Sequence, residues 1–265
     1  MKRGMMRKSL QTVFVLLGAA AFSSGCATEY NLATGREETL LYGTEKEISI
    51  GDAVARQVDA EFKIVSDLDK NARVQAILNR IVEVCDRQEL VYTIKIIEDD
   101  KVNAFSLPGG HVYVFTGLMD KLKEDDQLAG VIAHEVGHIT AKHGMKRMQN
   151  AYGYTLLQIL AAGTGSRDLA YGTNVILTSL FFAYSRQDEF ESDELGVKYM
   201  KKAGYDPGKM IDVLTILKEQ ESKAPPKEAN YLRTHPYPNE RMGIVNKAIT
   251  GQIGFRDYLN LMGNE

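Results

Sequence analysis

Residues Val131 to Thr140 read V-I-A-H-E-V-G-H-I-T, and the two histidines four positions apart limit what this chain can be. On a helix, four residues advance about 400° and rise about 6 Å, so His134 and His138 project side by side from one face. Two imidazoles so placed can grip one metal ion. Glu135 leans from the same region and can reach a water held in an open metal position, which is the arrangement of a zinc hydrolase. The competing reading is a buried amphipathic helix with two incidental histidines.

The rest of the sequence supplies the context. With 265 residues, 44% hydrophobic and 25% charged, the chain can bury a core without staples. Its start carries Lys2, Arg3, Arg7 and Lys8, then an apolar run from Leu10 to Phe22, then Ser23-Ser24-Gly25-Cys26. This predicts a signal peptide over 1–25, too short for a comfortable membrane span. The small residues before Cys26 resemble a bacterial lipoprotein cleavage box, with Ser23 where such boxes usually carry Leu, so Cys26 is expected as the lipidated N-terminus. Ala27 follows in place of an acidic retention residue, which points to the periplasmic face of an outer membrane. Removing the signal strips positive charge only, so the mature chain is more acidic than the formal −3 of the whole sequence. That argues against nucleic-acid binding. The second of the two cysteines, Cys85, shares a helical stripe with Val74, Leu78 and Ile81 and reads as a buried thiol.

Residues 26–43 read as a lipidated tether and 44–265 as one domain. Thr44 with Glu47 predicts a capping box opening a helix to about Phe62, and a second helix covers roughly Lys70 to Gln88. Val91 to Ile97 alternates as a strand, and two further strands flank Pro108-Gly109-Gly110, a type II turn signature. The motif helix is expected over about Asp125 to Gln149. Two short apolar stretches in Ala151 to Ser185 read as helices on the core or as a lid. Helices follow at about Gln187 to Ala203 and Pro207 to Glu221, and another after a loop at Arg233. The fold class is α+β, mainly α-helical with a small β-sheet.

Two histidines on one helix need a third protein ligand and one position for water. An extended motif would require Gly at 141 and His at 144, but the chain has Ala141 and Gly144, so His143 reads as a surface residue. Downstream, Glu189, Asp193, Gly196 and Met200 fall on one helix face suited to packing, whereas Glu191, Lys198 and Lys202 share the opposite, solvated face. This favours Glu189 as the ligand, with Asp193 accepting a hydrogen bond from a ligand imidazole. Glu191 remains the rival ligand.

These residues, with Ser185-Arg186, His235-Pro236 and Arg241, and with Asn103-Ala104-Phe105, Pro108 to Val114 and Gly117-Leu118-Met119 before them, resemble the HtpX-like and CAAX-prenyl-protease family of gluzincin zinc metallopeptidases. The resemblance spans about residues 95–245 and is similar to the exported, stand-alone lipoprotein branch. It leaves no room after the Arg241 helix for the C-terminal repeat domain of some exported relatives. It implies a zincin-type metallopeptidase domain with one Zn²⁺ per chain on His134, His138 and Glu189, and Glu135 as general base. It also implies His235 as a donor to the oxyanion, and Arg241 holding His235 or a ligand in place. Asn103, Ala104, Gly110 and His111 mark an active-site edge strand for an extended substrate, against the alternative of a plain structural hairpin. The implied substrates are unfolded or misfolded envelope proteins, met at the membrane through the N-terminal lipid. The rival function is a zinc-binding but inactive envelope lipoprotein that holds unfolded proteins, and a second rival is a wholly structural lipoprotein without metal.

Overall fold

The computed structural model describes residues 27–150, 183–221 and 231–252. The expected signal peptide, Cys26 and, up to residue 182, the stretch from Ala151 to Ser185 lie outside the described residues.

The segment expected as a tether is instead an antiparallel hairpin of β1 (Ala27–Asn31) and β2 (Arg36–Leu40), paired from Ala27↔Leu40 to Asn31↔Arg36. It is docked on the domain. Asn31 Nδ2 donates to the carbonyl of Thr140 at 3.1 Å, and Lys142 and Lys146 reach Glu29 and Glu38, each at 2.6 Å.

Helix α1 (Thr44–Glu61) follows, capped by Gly43 rather than by a Thr44 side chain. The expected capping box does not form because Glu47 has a stronger partner. Its carboxylate takes Arg87 Nη1 at 2.8 Å and Nη2 at 3.0 Å, both side chains being buried. A bidentate guanidinium outbids a backbone amide for a buried carboxylate. Helix α2 (Leu68–Val82) starts where Asp67 accepts from the backbone of Lys70, and buries Val74, Ile77, Leu78 and Ile81. Cys85 beyond it is buried, and burial pushes its thiol pKa up, which suits a packing group.

The second sheet has the order β3-β5-β4, from β3 (Thr93–Ile97), β4 (Ala104–Leu107) and β5 (His111–Phe115). β3 runs parallel to β5, and β4 returns antiparallel through the Pro108 turn. Gly109 there has φ 81° and ψ 2°, the third-residue geometry of a type II turn. β4 is an edge strand among the described residues.

Helix α3 (Asp125–Thr140) is buried along nearly its whole length, with α2 and β4 among the elements packed on it. It is shorter than the sequence suggests. Lys142 adopts φ 56°, which no helix tolerates, and a new helical segment begins at residue 143. Helix α4 (Arg186–Ala203) lies against α3, capped by Ser185 at its start and by left-handed Gly204 at its end. Helices α5 (Lys209–Glu221) and α6 (Pro238–Thr250) close the far side, with the turn Tyr231–Thr234 between them.

Candidate metal centre

The approach of α3 to α4 sets the geometry. A Cβ on Gly137 would stand 2.9 Å from the Ser192 carbonyl oxygen, and one on Gly196 would stand 3.3 Å from the His134 amide nitrogen. These two glycines let the helix axes close to where the short carboxylates of α4 reach the histidines of α3.

Between them His134, His138, Glu189 and His235 each offer a ligand atom, all within 4.8 Å of one another, and all four side chains are buried. His134 Nε2 lies 3.0 Å from His138 Nε2 and 3.6 Å from Glu189 Oε2, and His138 Nε2 lies 3.4 Å from Glu189 Oε1. Ligands about 2.0–2.1 Å from a tetrahedral zinc would stand about 3.3 Å apart, so these spacings suit one ion.

The tautomers point the same way. His134 Nδ1 donates to Asp193 Oδ1 at 2.9 Å, and His138 Nδ1 lies 2.9 Å from His143 Nδ1. With both Nδ1 atoms carrying the protons, as this network assigns them, the two Nε2 lone pairs face each other. Burial, with nearby positive charge, drives both imidazole pKa values well down and keeps the rings neutral. Two facing lone pairs cannot hydrogen-bond each other. A cation satisfies both, and the donor set fits zinc.

Glu189 closes the third side. Burial opposes its ionisation, but His235 and Arg241 outweigh burial and hold its carboxyl well below the usual range. Arg241 is the countercharge for the centre: Nη1 meets Glu189 Oε2 at 2.7 Å, and Nε and Nη2 take Asp193 at 2.8 and 2.7 Å. Its Nη1 also donates to the carbonyl of His235 at 3.3 Å.

Glu135 stands beside the ligands, fully buried. Ser106 Oγ on β4 donates to its Oε2 at 2.9 Å, and the Tyr231 hydroxyl reaches Oε1 at 3.4 Å. Burial raises its pKa, so the carboxylate holds a proton more readily than a solvated one. His235 Nε2 lies 3.5 Å from Glu135 Oε1, and its Nδ1 lies 3.0 Å from Glu189 Oε1. The ring stacks on Tyr231 at 4.2 Å, as His138 does on Tyr184 at 3.9 Å. His235, expected as a donor to the oxyanion, thus stands among the possible metal ligands.

Two readings of the sequence are overturned here. His143 is not on the surface: it is 1% exposed, donates from Nε2 to Glu191 Oε2 at 3.0 Å and abuts His138. Glu191 is not on a solvated face: it is 4% exposed and pairs with Arg36 of β2 at 2.6 Å. Nor does it belong to the cluster of possible ligands, its two oxygens being engaged by Arg36 and His143. Of the expected substrate-binding residues, Ala104 lies on edge strand β4, and Asn103 precedes it, with Oδ1 accepting from the Ala104 amide. Gly110 is packed against the Val91 carbonyl. His111 engages Thr93 and Asp52 through its two ring nitrogens and takes no part in the metal cluster. Ser106, Tyr184 and Tyr231 joined the site without any motif to announce them.

Comparison with known proteins gives the same picture. The "beta-barrel assembly-enhancing protease" of Escherichia coli (strain K12) is 27% identical over 237 residues, covering 84% of this chain and 47% of that protein. The "mitochondrial metalloendopeptidase OMA1" of Schizosaccharomyces pombe (strain 972 / ATCC 24843) is 32% identical over 176 residues, covering 66% of this chain and 51% of that protein. The chain therefore spans about half the length of these relatives. The model of "Peptidase family M48" matches residues 68–249, which contain all four residues of the cluster and Glu135, so this chain belongs to peptidase family M48, among the zinc metallopeptidases.

Proposed function

We propose that this chain is a zinc metalloendopeptidase of the bacterial cell envelope that cuts unfolded or damaged envelope proteins. The observation that carries the reading is the neutral His134–His138 pair with facing lone pairs, closed by Glu189 and flanked by the Glu135 carboxylate. One zinc per chain at that point would supply a water of lowered pKa and a polarised peptide carbonyl. Glu135 would take the proton, a role that burial favours by raising its proton affinity, and would then pass it to the more basic leaving amine. Arg241 and Asp193 hold His134 and Glu189 in register throughout.

Among the described residues β4 is an edge strand with its Ser106 on Glu135, and an extended peptide adding there would be read mainly by main-chain pairing. Such recognition tolerates many sequences and suits unfolded substrates. The charged start, apolar stretch and Cys26 support lipid anchoring, and no helix among the described residues is long and apolar enough to cross a membrane. The name of the Escherichia coli relative, which concerns β-barrel assembly, is in keeping with an envelope role.

Elemental analysis followed by casein digestion with and without a chelator tests the reading. Zinc near one per chain and chelator-sensitive cleavage are expected. Zinc without any turnover would favour an inactive holding lipoprotein, and no zinc on titration would leave only the structural rival. For placement, Cys26→Ser should release the protein to the soluble periplasmic fraction or leave its signal uncleaved; unchanged mature size and membrane association would show that something other than lipid anchors it.

A further inference from the structure

A line of contacts runs outward from ligand His138 to the amino-terminal hairpin. His138 Nδ1 lies 2.9 Å from His143 Nδ1, His143 Nε2 lies 3.0 Å from Glu191 Oε2, and Glu191 Oε1 takes Arg36 Nη2 at 2.6 Å. The three inner side chains are all but sealed from water, whereas Arg36 on β2 is 30% exposed. Two weaker contacts flank the line: Ser192 Oγ at 3.3 Å from His143 Nδ1, and Asp188 Oδ1 at 3.5 Å from His143 Nε2.

The direction of the protons follows from chemistry. Arg36 can only donate, so it keeps Glu191 an acceptor. Glu191 then requires a proton on His143 Nε2. With that proton on Nε2, the Nδ1 of His143 is the accepting nitrogen, and the group facing it at 2.9 Å is Nδ1 of His138. That leaves His138 Nε2 as a bare lone pair aimed at the metal position. His134 obtains the same instruction directly, from Asp193 paired to Arg241. Each ligand imidazole is thus fixed by a carboxylate held by a guanidinium, and in one case the guanidinium belongs to a segment before the catalytic domain.

We propose that His143 and Glu191 are positioning residues for ligand His138, and that Arg36 on the hairpin sets them, making the hairpin a structural part of the metal centre. The hairpin also holds the turn that delivers His143, through Asn31 to the Thr140 carbonyl and Glu29 to Lys142. This rests on the zinc reading above.

The test is zinc affinity of the full chain, by competition with a chromogenic chelator, together with the visible spectrum of the cobalt-substituted protein. Outer partners of a metal-binding histidine typically contribute about 10- to 100-fold in affinity. His143→Ala should weaken zinc binding by about that factor and alter the cobalt bands. His143→Gln, which can still donate to Glu191 and accept from His138, should recover part of the loss. Arg36→Ala is a change at a part-exposed position that leaves the core intact, so it remains readable even if His143→Ala folds poorly. It should weaken zinc several-fold in the wild-type background and not at all in Glu191→Gln, because both act on one route. Wild-type zinc affinity with every variant within twofold and unchanged cobalt bands overturns the proposal, and so does strict additivity of Arg36→Ala and Glu191→Gln. Failure of the wild type itself to bind zinc overturns the zinc reading and this inference with it.

Discussion

Ser106 on the edge strand donates its hydroxyl proton to Glu135 on the motif helix across 2.9 Å, within a buried site. The strand proposed to receive substrate thereby also aims the carboxylate proposed as the base. Glu135→Gln should keep zinc and fold while lowering kcat by about 10²–10⁴, because an amide cannot take the proton. Ser106→Ala should cost about tenfold, the worth of one hydrogen bond to a charged group. Casein turnover normalised to zinc content checks both, and Glu135→Gln activity within tenfold of wild type would remove Glu135 as the base.

Stoichiometric zinc should be lost in His134→Ala and in His138→Ala, since two remaining motif-helix and carboxylate donors seldom retain the ion. Glu189→Gln should weaken zinc strongly. Elemental analysis after gel filtration reads these outcomes, and a Glu189→Gln protein with full zinc would transfer the third place to His235.

Arg241→Leu should destabilise the metal-free protein by about 3–5 kcal/mol. It leaves Glu189 and Asp193 buried without their shared countercharge, and breaking one side of a buried ion network is costly. Urea unfolding in the presence of chelator measures it; a loss below about 1 kcal/mol would mean that the carboxylates find water instead.

Gly51→Ala should destabilise by about 1–3 kcal/mol, because its Cβ would fall 1.9 Å from the Pro108 carbonyl oxygen and push α1 off the turn between β4 and β5. The shift in urea midpoint reads it, and an unchanged midpoint would show that the turn yields without cost.

Glu194 carries the clearest pH signature. Burial, then Glu191 and Asp193, push its pKa up to about 7 from the usual 4.5. The folded form therefore binds a proton that the unfolded chain has released, and stability falls as pH rises between about 4.5 and 7. Glu194→Gln should raise Tm at pH 8 and leave it unchanged near pH 4. Equal Tm differences at both pH values would exclude this carboxyl as the source.

Much of the site could be read from spacing because its parts lie on regular elements. His134 with His138, and Glu189 with Asp193, are four apart on helices, and that interval alone puts each pair on one face. Where an element breaks or a neighbour is unforeseen, spacing misleads. Five residues on an ideal helix would turn His143 about 140° away from His138. The left-handed Lys142 ends the helix and brings the two rings together instead. Glu191, two positions from Glu189, does face the other way, but that side holds Arg36 of a hairpin rather than solvent. Polar tether-like composition hid the hairpin, and nothing local in Thr44 to Glu47 foretold Arg87.

The docked hairpin also bears on the order of assembly. Asn31 meets Thr140 across 109 positions, and Arg36 meets Glu191 across 155. Asn31 therefore finds its partner only once the first ligand helix has been made, and Arg36 only once the second has. Contacts of such long range close slowly, since a large loop must be drawn in before any of them forms. The β1–β2 hairpin is in this sense a late-docking latch, and its arrival completes the surroundings of His138.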